Sequence, residues 1–380
     1  MKDTGNLMKR ILFIIPSLKG GGAERILINL LSLLKENSRF QITLCCILKK
    51  GVYLDSLPDE IDVVFLFKSE RLSKIVEKCT RDFGLKPLLK ARVKQKLKGD
   101  FHVGISFLDS IYSEILCYGC TRIDKKIIVI HSSYMSYSNK SKFIHGRHKK
   151  RLLKRYNNAD TIVSVSNDVQ REFTEAFGQF RDMKVIYNPI NVEQILEKAQ
   201  KDVPEVSGSK IRLLTIGSYI PVKNHCRLIR AAELLAKDGI DFHLRIMGKG
   251  RLRSKLEAMI CEKQLHDYVE LTGFIENPYP NLKSADIFIL SSLSEGLPTA
   301  ICEAMVLGVP VVATNCPGAR EILDDGKYGI LTEQSDFELY KGIKRMINME
   351  ERAHFIARSM ERAKIFDDQY ALKEYLSILE

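Results

Sequence analysis

Residues 286–318, DIFILSSLSEGLPTAICEAMVLGVPVVATNCPG, decide how this chain is read. Asp286 to Leu290 is a short apolar run of the kind that forms a buried strand. It leads through Ser291–Ser294 into Glu295-Gly296-Leu297-Pro298. Thr299 to Leu307 has a helical pattern, and Pro298 suits a first helical position, where its missing N–H costs nothing. Gly308 and Pro310 close that helix, and Val309 to Thr314 forms a second strand. Strand, tight loop and helix start make an anion site, because unpaired amides face the positive end of the helix dipole. Glu295 and Glu303 stand in the same stretch, with seven residues between them. Carboxylates do not bind phosphate; they accept hydrogen bonds from hydroxyls on either side of it. A sugar and a ribose flanking a phosphate would supply those hydroxyls, which points to a nucleotide-sugar.

The flanking sequence supports an α/β chain of two domains. Its 380 residues exceed the size at which a single core stops growing. Short apolar runs at Arg10–Pro16, Gln41–Leu48, Ile61–Phe67, Phe101–Phe107, Lys126–His131 and Thr161–Ser166 alternate with helical patterns. That alternation predicts parallel sheets covered by helices on both faces. Asn188-Pro189 ends a last short strand at Lys184–Tyr187, and the polar segment to Lys210 reads as a linker. A second sheet then begins at Ile211–Ile216 and continues with Phe242–Met247 and Val269–Thr272. Domain limits of 1–189 and 190–365 follow, with a final helix over 366–380.

Glycine turns follow several predicted strands, at Gly20-Gly21-Gly22, Gly217-Ser218, Gly248-Lys249-Gly250 and Gly273. Such turns let backbone approach a ligand closely. The first lacks the spaced glycines of a dinucleotide-binding fingerprint. Lys223-Asn224, past the end of the Ile211–Ile216 strand, places an ammonium where it can neutralise a diphosphate.

Glu295-Gly296-Leu297-Pro298 with Glu303, Gly308-Val309-Pro310-Val311-Val312-Ala313 and Gly318 resemble the retaining glycosyltransferases of family 4, which have the GT-B fold. Gly21 to Arg25 is similar to that family's first loop. The resemblance covers nearly the whole chain in order and implies two Rossmann-like domains with parallel sheets facing a central cleft. It also implies a C-terminal helix that crosses back to the first domain. It assigns His131 and Glu295 to catalysis. Gly21, Gly22, Gly217, Ser218, Lys223, Asn224, Gly248, Gly296, Leu297, Pro298 and Glu303 fall to donor binding. The family carries an Arg–Lys pair at the diphosphate; Lys223 matches the lysine, whereas Ser218 stands at the arginine position. No Asp-x-Asp metal motif is present, so no obligatory metal cofactor is expected. No carboxylate nucleophile is evident; the resemblance implies the family's usual front-face substitution, with the departing phosphate oxygen taking the acceptor's proton.

Charge suggests the acceptor. The net charge is +15 over residues 1–190 and −3 over 191–380, within a total of +12. The excess is dense at Lys86–Lys98 and at Lys140–Arg155. Basic residues without interleaved aromatics argue against nucleic acid. An amphipathic basic segment on an anionic membrane surface fits better, using Lys142, Arg147, Lys149, Lys150, Arg151, Lys154 and Arg155, with Glu24 toward the acceptor. No run reaches the roughly 18 apolar residues of a membrane span, and nine cysteines without metal-like spacing read as reduced thiols. A cytosolic enzyme peripheral to the inner face of a membrane is expected. Its partners are a UDP-sugar donor and a lipid-diphosphate-linked saccharide acceptor, as in bacterial O-antigen, capsule or glycan assembly. Donor sugars of the N-acetylgalactosamine type fit that resemblance. Two other classes share parts of the pattern: a UDP-sugar isomerase of GT-B fold, and a non-catalytic polyanion-binding protein.

Overall fold

A computed structural model describes residues 8–75, 86–109, 113–119, 122–133, 147–200 and 210–380. The chain forms two compact units: residues 1–189 with 369–380, and residues 190–368. The changeover falls within the last helix, three residues later than the sequence pattern places it.

The first unit carries a seven-stranded parallel sheet of β1 (Lys9–Ile15), β2 (Phe40–Leu48), β3 (Asp62–Phe67), β4 (Phe101–Ser106), β5 (Ile123–Ile130), β6 (Thr161–Ser164) and β7 (Met183–Val185), in the order β3-β2-β1-β4-β5-β6-β7. Ile11 to Ile15 are buried throughout, as a central parallel strand covered on both faces requires. Each such side chain contributes about 2 kcal/mol of burial free energy. The helices described are α1 (Gly22–Leu34), α2 (Lys86–Lys96), α3 (Ser113–Tyr118), α4 (Arg147–Tyr156) and α5 (Asn167–Phe177). On α2, Leu89 and Val93, with Leu97 just beyond it, face inward at four-residue spacing, whereas Lys90, Lys94 and Lys98 are exposed.

The second unit opens with α6 (Val192–Lys198), inside the segment that its polar composition marks as a linker. Asn191 caps it by accepting from the Gln194 amide at 2.7 Å, and Ile195 is its buried anchor. A six-stranded parallel sheet follows: β8 (Ile211–Ile216), β9 (Phe242–Met247), β10 (Val269–Gly273), β11 (Ile287–Leu290), β12 (Val311–Thr314) and β13 (Ile330–Thr332), in the order β10-β9-β8-β11-β12-β13. It is packed by α7 (His225–Lys237), α8 (Arg253–Glu262), α9 (Tyr279–Lys283), α10 (Thr299–Val306), α11 (Pro317–Leu323), α12 (Asp336–Ile347) and α13 (Met349–Ala363). The closing helix α14 (Asp368–Leu379) returns to the first unit, where Lys125 Nζ donates to the Ile378 carbonyl at 2.7 Å and Tyr375 is buried.

In each sheet the strand order reverses once, between β1 and β4 and between β8 and β11. Ligands of doubly wound sheets bind beyond the carboxyl ends of the strands at such a reversal. The loops after β8 and β11 are therefore the first place to look in the second unit.

Candidate active site

Those two loops meet through a charged pair. Lys223 ends a short 3₁₀ turn (Pro221–Lys223) after β8, and its Nζ donates to Glu295 Oε1 at 2.6 Å. Backbone bonds lock the lysine in place: the Leu293 amide donates to the Val222 carbonyl at 2.7 Å, and Ser291 Oγ to the Lys223 carbonyl at 2.9 Å. Ser292 Oγ donates to the same Glu295 oxygen, and Thr314 Oγ1 holds the Ser292 carbonyl at 2.6 Å. Lys223 and Glu295 are both mostly buried, so water screens the pair poorly. One cation and one carboxylate thus stand at the topological switch point, each available to exchange its partner for a ligand group.

The surrounding turns are sewn to one another. Gly217 donates to Met247, Tyr219 to Lys249 and Gly248 to Gly273, joining the ends of β8, β9 and β10. At Gly248, φ is +155° and a Cβ would lie 2.0 Å from the Gly217 carbonyl, so only glycine fits. A Cβ on Gly318 would lie 2.4 Å from the Gly296 carbonyl; its absence lets α11 begin against the Glu295-Gly296 loop. Asn224 has φ of 45° and starts α7 without a side-chain cap. Pro298 stands at the N-cap of α10, one position before the first-turn place its chemistry suggests, and α10 also lacks a side-chain cap. Leu297 and Glu303 are buried, the latter on α10.

Three builders of this site carry no sequence signal of their own. His225 is buried, and its Nε2 lies 3.2 Å from the Gly217 carbonyl, which accepts its proton. Burial pushes its pKa down to about 4, and the nearby Lys223 charge lowers it further, against the Gly217 carbonyl. Arg227 is buried and donates to the carbonyls of Ser291 at 3.3 Å and Gln334 at 2.8 Å, fixing the loop after β11. Cys316, the N-cap of α11, has a thiol pushed up to about 12 by burial, so it stays protonated.

In the first unit, His131 follows β5 and packs on Phe107, ring centroids 4.8 Å apart. Burial pushes its pKa down to about 4, opposed by a hydrogen bond to the Phe107 backbone. The imidazole is neutral at pH 7, and Nε2 is buried with no partner among the described residues. Gly20 and Gly21 lie between β1 and α1. Both amides donate to Glu24 Oε2, the Gly20 bond at 2.8 Å, which makes the glutamate half of a capping box on α1, since Gly21 has no side chain for the other half. Gly21, expected at the donor, and Glu24, expected toward the acceptor, are thus hydrogen-bonded to each other. Gly22 has open space where a Cβ would stand.

The basic face on α4 is smaller than its composition suggests. Arg155 is buried and pairs with Asp109 at 3.0 Å, and Tyr156 donates to the same carboxylate at 2.6 Å. Arg151 donates to buried Glu114 at 2.8 Å. One side of the helix faces inward, where carboxylates pair with its guanidiniums; Arg155 is buried there and Arg151 is half-buried. Lys150 and Lys154 are exposed and Lys149 is half-buried; Arg147 is the first residue of α4. Lys142 lies outside the described residues. Among the described residues no helix is long and apolar enough to cross a membrane.

Two parallel sheets, each with a reversal in strand order and with glycine turns at the strand ends, fit a GT-B fold. Comparison with known proteins agrees. Residues 20–194 match the family model for Glycosyltransferase Family 4, and residues 197–362 match Glycosyl transferases group 1. The chain belongs to these glycosyltransferases. It is 28% identical over 381 residues (98% of this chain, 100% of the relative) to the Campylobacter jejuni N-acetylgalactosamine-N,N'-diacetylbacillosaminyl-diphospho-undecaprenol 4-alpha-N-acetylgalactosaminyltransferase. A second Campylobacter jejuni enzyme, a GalNAc-alpha-(1->4)-GalNAc-alpha-(1->3)-diNAcBac-PP-undecaprenol alpha-1,4-N-acetyl-D-galactosaminyltransferase, is 27% identical over 98% of each chain. Among solved structures, Anabaena HepE in complex with UDP and glucose superposes with a TM-score of 0.73 at 19% identity, covering 98% of this chain and 99% of that one.

Proposed function

We propose that this glycosyltransferase moves an N-acetylhexosamine, with N-acetylgalactosamine the first candidate, from a UDP-sugar to a lipid-diphosphate-linked saccharide, retaining anomeric configuration. The observation that carries the reading is the Lys223–Glu295 pair across the reversal in the second sheet. In the resting site each charge satisfies the other. Donor diphosphate would compete for the Lys223 ammonium and release Glu295 to accept hydrogen bonds from sugar hydroxyls. As the bond to the anomeric carbon breaks, Lys223 and the uncapped start of α10 would offset charge on the departing phosphate, without an obligatory metal. Ser218, standing where the family has arginine, would supply a hydroxyl donor at the same diphosphate. Glu303 would hold the ribose. Neutral His131, with Nε2 unpartnered among the described residues, would accept a hydrogen bond from a sugar hydroxyl.

Substrate class rests on the relatives. Two Campylobacter enzymes aligned over 98% of this chain transfer N-acetylgalactosamine to undecaprenol-linked diphosphate saccharides, and HepE was solved with UDP. The exposed lysines of α2 and α4 support attachment to an anionic membrane surface.

The test is a panel of UDP-, GDP- and ADP-sugars presented with lipid-extract acceptors, wild type beside Glu295→Ala and Lys223→Ala. Consumption of one UDP-sugar, lost in both variants and insensitive to EDTA, with an α-configured product by NMR, supports the reading. Turnover without acceptor to an isomeric UDP-sugar, or retained turnover in Glu295→Ala, overturns it. Co-sedimentation with anionic vesicles that weakens on adding salt tests the membrane assignment separately.

A further inference from the structure

A second charged cluster lies in the first unit, beyond the carboxyl ends of β1, β2 and β3. Glu70 receives three ammonium groups: Lys50 Nζ at 2.7 Å on Oε2, with Lys74 at 3.2 Å and Lys19 at 3.5 Å on Oε1. The lysines come from separate segments, one after β1, one after β2 and one in the helical residues 70–75 after β3. Their loops are cross-linked. The Leu18 amide donates to the Lys50 carbonyl at 3.0 Å, Leu48 to Pro16 at 3.0 Å, Lys49 to Phe67 at 3.1 Å and Tyr53 to Leu18 at 3.3 Å. Gly51 makes this possible: its φ is +150°, and a Cβ there would lie 1.8 Å from the Leu18 carbonyl.

Three cations around one anion leave a net charge of +2 at the mouth of the sheet. The side chains are 34–71% exposed, so water screens their mutual repulsion and a dissolved or lipid-borne anion can reach them. The hydrogen bonds from Lys50 and Lys74 and the charge of Lys19 hold the Glu70 carboxyl down to about 2, so it stays ionised. A carboxylate with two oxygens under-fills three ammonium donors. A phosphoryl group brings three terminal oxygens, and a diphosphate has charge enough to neutralise all three lysines.

We propose that Lys19, Lys50 and Lys74 form an anion site for a diphosphate group in the first unit, with Glu70 as the resident anion that the ligand displaces. On the reading above, on which this identification of the ligand rests, the diphosphate is that of the acceptor. The site is distinct from the donor-type site at Lys223. Glu70 turns outward when the ligand enters, and no covalent step is involved.

The experiment is calorimetric titration of inorganic pyrophosphate into the full chain, with and without excess UDP to occupy the donor-type site. Lys50→Ala and Lys19→Gln should each weaken binding about three- to tenfold, the range expected for losing one charge-assisted contact at a partly exposed site. Glu70→Gln should tighten it several-fold, because the competitor loses its charge. That sign separates the proposal from a structural ion-pair network, in which Glu70→Gln lowers thermal stability and leaves pyrophosphate affinity unchanged. Unchanged affinity in all three variants, or weaker binding in Glu70→Gln, overturns the site. Repeating the titration with vesicles of phosphatidylcholine carrying farnesyl diphosphate or phosphatidylglycerol separates a lipid diphosphate from a single-phosphate headgroup; equal preference for the two overturns the diphosphate assignment. Activity on the nucleotide-sugar panel is scored independently. Shifts in pyrophosphate affinity without any turnover would sink the transferase reading and leave this site standing. Turnover without those shifts would do the reverse.

Discussion

The first βα turn of each unit solves the same problem in opposite ways. In the first, Gly20 and Gly21 point their amides at a carboxylate three residues into α1, so the helix start is sealed by its own chain. In the second, α7 begins at left-handed Asn224 with no side-chain cap, and a lysine one residue earlier reaches to a carboxylate on another loop. Sealing stabilises a helix; leaving a start open and flanking it with a cation prepares a place for an anion. The same topology therefore yields a helix start closed by its own carboxylate in one unit and an uncapped one in the other. The difference is set by where the nearest carboxylate sits, within the turn at Glu24 or across the sheet reversal at Glu295.

The largest effects should follow from breaking the open turn. Glu295→Ala should lower turnover by about a thousandfold, and Lys223→Ala by about a hundredfold, the range seen when one charged or donor group is removed from a developing-charge site. Because the two side chains touch, their effects should not add. The Lys223→Ala, Glu295→Ala double variant should fall well short of the product of the single losses. Steady-state rates for the four proteins check this; strict additivity would mean that the resting pair has no part in catalysis.

His225 sharpens the comparison from the side of stability. Its folded pKa is depressed to about 4 from an ordinary 6.5, so between those values the unfolded chain binds more protons than the folded one. The contribution is fully present above about pH 6.5 and is lost as pH falls toward 4. It should cost the second unit about 2 kcal/mol by pH 5. Urea unfolding at pH 7 and pH 5 measures it, and His225→Gln should flatten the difference. A transition independent of pH over that window would show that the Gly217 turn opens to water. His131 predicts the same direction of change in the first unit.

Much of this was legible in the residues, for reasons that differ by element. Buried parallel strands read as unbroken apolar runs, so β1, β8, β9 and β11 stand close to their expected limits. The loop at Glu295-Gly296-Leu297-Pro298 was legible because proline and glycine fix backbone conformations that few other residues share. What was missed depended on partners distant in sequence. Arg151 and Arg155 look like surface charge until Glu114 and Asp109 fold against them. Helix α6 was missed because only Ile195 is buried on it, which leaves no apolar periodicity to read. The cap on α1 has a weak signal: glutamate at the third helical position is half of a capping box, and glycine at the N-cap has no side chain to supply the other half.

That cap gives the smallest and most discriminating prediction. Glu24→Ala removes the acceptor for two amides and should destabilise the first unit by about 1 kcal/mol, the ordinary value of a helix cap. For a unit of this size the melting temperature should drop by roughly 2–4 °C. Nucleotide affinity, measured by titrating UDP, should not change, because the freed amides belong to a helix start that carries no ligand in this reading. If Glu24→Ala instead tightened UDP binding, the carboxylate would be a plug in a second anion site rather than a cap. The contrast between a sealed turn and an open one would then collapse into two open turns, one of them blocked at rest.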